Sequence, residues 1–140
     1  MYYTKRGIYC VIALLLLLGL SIYYFFRKPI LAFTLFRIAP CEHIAINTSN
    51  PFFYFVVYCL PDALWYMSLL LTQTFFQKET GWLNRLLLGI AISLPFLLET
   101  GQYYGFVSGT FDWLDIFTYC FTLILFLCLR KTSLLSPYKL

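Results

Sequence analysis

Few residues in this chain are able to do chemistry. Six of its 140 residues are acidic, and there is one histidine. Glu99 and Gln102 are three apart, and so are Asp112 and Asp115. On a helix that spacing puts both members of a pair on one face. The first pair ends one apolar run and the second opens the next, so the two can meet at one level. Asp62, which opens an earlier run, can join them. Carboxyls crowded into a poorly hydrated site do not all ionise with equal ease, so one can hold a proton beside a charged neighbour. Such a group suits acid–base work, a cation site, or the binding of an amine or a sugar hydroxyl. Asp62 and Asp112 also have a plainer role open to them, because an aspartate at a helix start caps free backbone N–H groups and favours the dipole. Glu99 stands at a helix end that disfavours it, and Asp115 lies one turn inside its run. Ionisable groups inside membranes are costly, so these two are read as functional. Pro95, four residues before Glu99, removes one helix hydrogen bond and can kink the chain beside the site.

The elements that must position these residues are apolar. Hydrophobic residues make up 61% of the chain, aromatic residues 21% and charged residues only 11%, with a mean hydropathy of +0.79. A soluble domain carries about 25% charged residues, and one of this size leaves roughly a third of its unfolded surface in contact with solvent. That solvent must here be lipid. The composition excludes a cytosolic enzyme, a secreted disulfide scaffold and a disordered tail. It also excludes a nucleic-acid module, because the net charge of +4 comes from flanks and not from a basic face. A helical span takes about 20 apolar residues. The expectation is therefore an all-α membrane protein, with residues 1–140 forming one domain of four transmembrane helices in a small bundle.

The first span is expected at about 8–26, between Lys5-Arg6 and Arg27-Lys28. It ends in the aromatic belt Tyr23-Tyr24-Phe25-Phe26 and reads as an uncleaved anchor. An outer segment follows at 27–60, with Pro29, Arg37, Pro40 and the polar run Asn47 to Pro51. From Phe52 to Phe76 the chain is apolar apart from Pro61-Asp62. It is either one kinked span or a short re-entrant piece followed by a span at about 61–77. The second reading is preferred, because proline and aspartate both suit a first helical turn. The third span is expected at about 82–99, closed or extended by Glu99 to Gln102, and the fourth at about 112–129, stopped by Arg130-Lys131. The stretch between them, with Gly105 and Gly109, reads as a loop.

With four spans both termini share a side. That side carries Lys5, Arg6, Lys78, Arg85, Arg130, Lys131 and Lys139, seven of the ten basic residues. Basic flanks favour the cytoplasm, so both termini are expected to be cytoplasmic. Asp62, Glu99, Asp112 and Asp115 then fall near the outer boundary.

Three short motifs carry a resemblance: Pro61-Asp62-Ala63-Leu64-Trp65, then Glu99-x-x-Gln102, then Gly109-Thr110-Phe111-Asp112-x-x-Asp115. Over roughly residues 60–126 the chain resembles the VanZ-like family of small bacterial membrane proteins. In that family an aspartate opens a span, a Glu-x-x-Gln closes the next and an aspartate opens the last. Trp65 stands where the family often has a histidine, and Gly109 and Thr110 lie where it has an arginine. Tyr119, Thr122 and Phe126 occupy the region of its usual asparagine and glycines. The resemblance implies a bacterial cytoplasmic membrane, in a family named for glycopeptide-antibiotic resistance, and supplies no molecular activity.

The remaining signals are weaker. Cys10, Cys120 and Cys128 read as apolar packers within spans. Cys41 and Cys59 would share the outer side, where a disulfide is permitted. His43, beside Glu42 and Cys41, is not expected to hold a metal, and no cofactor is expected. Asp62, Glu99, Gln102, Asp112 and Asp115 are therefore the expected ligand-binding set, at an acidic outer-leaflet site for a polar headgroup or an antibiotic-type ligand. The rivals are an enzyme acting on a lipid-linked substrate through Glu99 and Asp115, and a small packing subunit with a membrane-protein partner. Membrane lipid is the expected surrounding in each case, and no nucleic acid is expected.

Overall fold

The computed structural model describes residues 5–26, 50–76 and 81–131. The expected outer segment up to residue 49, with Arg37, Cys41, Glu42 and His43, lies outside the described residues, as do Lys78, Glu79 and the residues after 131. Among the described residues all regular structure is helical. Helix α1 is Lys5–Phe26, α3 is Trp82–Tyr103 and α4 is Trp113–Lys131. Between α1 and α3 comes a continuous helix, here α2, built from the turn Pro51–Tyr54, a π-helical stretch Phe55–Cys59 and the α-helix Leu60–Phe76. Four segments, Gly7–Phe26, Pro51–Thr74, Trp82–Tyr103 and Trp113–Lys131, are long and apolar enough to cross a membrane. That is the makeup of a multi-pass membrane protein.

The course of α2 corrects the preferred reading of the sequence. Pro61 and Asp62 do not open a helix; they lie inside one that starts at Pro51, where the Asn50 side chain accepts a hydrogen bond from the Phe52 N–H. A proline ring ordinarily clashes with the carbonyl four residues earlier. Here the preceding turn is wound wide, and the Leu60 N–H reaches back five residues to the Phe55 carbonyl. The wider turn relieves that clash and lets the helix run through Pro61. Asp62 is thereby carried eight residues beyond Tyr54, about 12 Å along the axis.

Helix α2 is the most buried of the four and packs against each of the others. Gly19 of α1 lies over the Pro61 carbonyl, 3.5 Å from where a Cβ would stand. The core gathers Tyr66, Met67, Leu70 and Leu71 of α2 with Ile8, Tyr119 and Phe126. Tyr66, Phe96 and Tyr119 meet edge to face, with ring centroids 5.6 to 6.4 Å apart. The Tyr66 hydroxyl donates to the Ile92 carbonyl at 3.0 Å, on the turn that Pro95 loosens. By contrast Leu14, Leu17, Leu86, Ile90, Phe117 and Phe121 face outward, as lipid-exposed side chains do.

Candidate ligand site

The site lies where α3 ends and α4 begins. Helix α3 continues past Glu99 to Tyr103, so Glu99 and Gln102 are both on it. Its end is a Schellman turn: the Phe106 N–H bonds to the Gly101 carbonyl at 2.8 Å and the Gly105 N–H to the Gln102 carbonyl at 3.0 Å. Gly105 takes the left-handed conformation this turn requires, with φ 73°. The chain then folds back over the helix. At Gly109, φ is 147° and a Cβ would stand 2.7 Å from the Gln102 side chain. Helix α4 starts after Asp112, whose carboxylate accepts from the Leu114 N–H at 2.9 Å as an N-cap.

Asp62, Glu99, Gln102, Asp112 and Asp115 all line one cavity of about 700 Å³, so the structure brings together every residue of the expected set. The four carboxyls among them are also all the acidic side chains of the described residues. Their partners differ. Asp62 accepts from the Tyr23 hydroxyl of α1 at 2.5 Å. The second oxygen of Asp112 accepts from the Tyr54 hydroxyl at 2.9 Å, so this carboxylate caps one helix and ties down another. Asp115 lies close to the thiol of Cys59. Glu99 is 96% buried, and its Oε2 has no hydrogen-bond partner among the described residues. Buried polar atoms are nearly always satisfied, so this oxygen is an exception, on a residue that borders the cavity.

Several cavity residues escape sequence reasoning. Tyr23, Tyr54, Tyr58 and Tyr119 border the cavity, and so does Trp65. They sit among 12 tyrosines in a chain rich in aromatics, so residue type gives no signal. Cys59 is a fully buried free thiol, packed in the π-helical stretch against α4. Gly101 and Gly105 take part in the turn that ends α3, and Gly109 lies in the loop that folds onto Gln102.

The described basic side chains Arg85, Arg130 and Lys131 stand at the opposite ends of α3 and α4. From Arg85 to Glu99, and from Asp115 to Arg130, the helix rises about 20 Å. Acid and base are thus separated along the helices. No family model matches the chain, and neither does any curated protein or solved structure.

Proposed function

We propose that this chain is a VanZ-like multi-pass protein of the bacterial cell envelope that binds a polar headgroup or an antibiotic-type ligand in its acidic cavity. The observation that carries this reading is the unpartnered, buried Oε2 of Glu99, a residue that borders the cavity with three further carboxyls. A buried acceptor left without a donor costs about 1–3 kcal/mol, a cost that a bound donor removes. Both termini are taken as cytoplasmic, because Lys5, Arg6, Arg85, Arg130 and Lys131 all belong to the helix ends away from the cavity. The cavity then opens at the outer leaflet.

The test is the resistance of a susceptible bacterial host to a glycopeptide and to envelope-active agents, with and without the chain. A binder predicts a phenotype weakened step by step by Glu99→Gln and by Asp115→Asn. Near-complete loss with Glu99→Gln alone favours acid–base catalysis on a lipid-linked substrate, with Glu99 and Asp115 in the same cavity as the pair. An unchanged phenotype in the double variant would overturn both readings. Co-purification of a stoichiometric membrane partner, with that unchanged phenotype, would favour a packing subunit.

A further inference from the structure

Among the described residues, the charges that border the cavity have one sign. Asp62, Glu99, Asp112 and Asp115 border it, and the described basic side chains stand at the far helix ends. A phosphate or carboxylate group would meet like charge there, whereas an ammonium would meet opposite charge. The four carboxyls are spread around a space of about 700 Å³. Among the described residues no three metal-ligating side chains gather closely enough to hold a metal ion. That spacing suits an organic cation better than a point charge.

The aromatic wall agrees. The rings of Tyr54 and Tyr58 lie 4.8 Å apart, tilted by 31°, and both border the cavity with Trp65 and Tyr119. Aromatic faces attract ammonium groups, most strongly where water is excluded. The unpartnered Glu99 Oε2 needs a donor, and an ammonium N–H supplies a charged one.

The side walls add the rest of the ligand. Helices α1 and α3 each pack on α2 and scarcely touch one another, which leaves a lateral gap among the described residues. Leu16 and Leu20 of α1 and Leu98 of α3 border the cavity, yet each is exposed. In a bilayer these leucines face acyl chains. We propose that the cavity takes an amphiphilic amine, whose ammonium is held by Glu99 and its neighbouring carboxyls and whose apolar tail leaves between α1 and α3. This rests on the ligand-binding reading given above and names its ligand class.

The test uses the full chain purified in maltoside micelles, with Trp82→Phe and Trp113→Phe so that Trp65 alone reports by fluorescence. The probes are n-dodecylamine, butylamine, dodecanol and dodecyl phosphate. Dodecylamine is expected to bind saturably, at least tenfold more tightly than butylamine, and Glu99→Gln is expected to weaken it about tenfold or more. Dodecanol and dodecyl phosphate are expected to show no saturable binding. If Glu99→Gln does not fold, as judged by circular dichroism and gel filtration, Asp62→Asn takes its place with the same expectation. Saturable, Glu99-dependent binding of dodecanol or dodecyl phosphate in place of dodecylamine would overturn the ammonium assignment while leaving a ligand site. Equal affinity for butylamine and dodecylamine would overturn the amphiphile and its lateral tail. If no probe saturates but the host phenotype still depends on Glu99, this inference fails and the broader reading survives.

Discussion

The Tyr54 hydroxyl donates to Asp112 at 2.9 Å across 58 residues of sequence, fastening the first turn of α2 to the first turn of α4. The other oxygen of the same carboxylate caps α4 through the Leu114 N–H. One side chain thus sets the entry of two helices into the cavity wall. The capping role open to Asp112 and its place in the acidic set are therefore not rivals.

This double role predicts a graded series. Tyr54→Phe removes one neutral donor and should cost about 1 kcal/mol. Asp112→Ala also removes the cap and should cost about 2 kcal/mol, one from each bond. Asp112→Asn keeps a good cap and should fall closer to the parent. Thermal or denaturant unfolding in mild detergent checks the order. Equal stabilities for Asp112→Asn and Asp112→Ala would show that the cap contributes nothing.

Gly109 and Gly105 should respond differently to alanine. Both have positive φ, so each substitution carries backbone strain of about 1–2 kcal/mol. At Gly105 the added methyl meets open space, whereas at Gly109 it would stand 2.7 Å from the Gln102 side chain. The side-chain amide resonance of Gln102, read by NMR in micelles, should move in Gly109→Ala and stay in place in Gly105→Ala. Movement in both would mean that the loop, not the direct contact, positions Gln102.

Orientation has its own test. In a chain stripped of its native cysteines, single cysteines at 79 and 110 should label from opposite sides, 79 from the cytoplasm and 110 from outside. Labelling of position 79 only from outside would invert the topology and put the acidic cavity at the inner leaflet.

Much of the site could be read from the sequence because spacing on a helix fixes a face. Glu99 with Gln102, and Asp112 with Asp115, needed only two helices ending at one level, and the lengths of the apolar runs supplied that. The depth of Asp62 could not be read in the same way. Local rules for proline and aspartate favour a helix start, and they are overridden by a turn whose hydrogen bonds skip five residues. Nothing in Phe55–Cys59 announces such winding, since its residues are ordinary apolar and aromatic ones. The tyrosines were hidden for another reason: they reach the carboxyls from α1 and from the first turns of α2, and such pairings between distant residues have no period to detect.

The π-helical stretch should therefore be what keeps Tyr54 in register with Asp112. Deleting Val56 removes the extra residue of the wide turn and lets α-helical bonding run through it. The residues before the deletion would then rotate by about 100° and shift by about 1.5 Å relative to those after it. Tyr54 would swing off Asp112, while Cys59, on the far side of the deletion, would stay against Asp115. A double-mutant cycle reads this directly, because coupling vanishes when two sites no longer act together. In the parent chain Tyr54→Phe should cost about 1 kcal/mol; in the Val56-deleted chain it should cost nothing measurable. Pro61 adds a second constraint, since its ring would again press on the carbonyl four residues back, so the deletion should itself lower the unfolding temperature. A Tyr54→Phe cost that survives the deletion undiminished would show that Asn50 and the start of α2, rather than the wide turn, set the position of this hydroxyl.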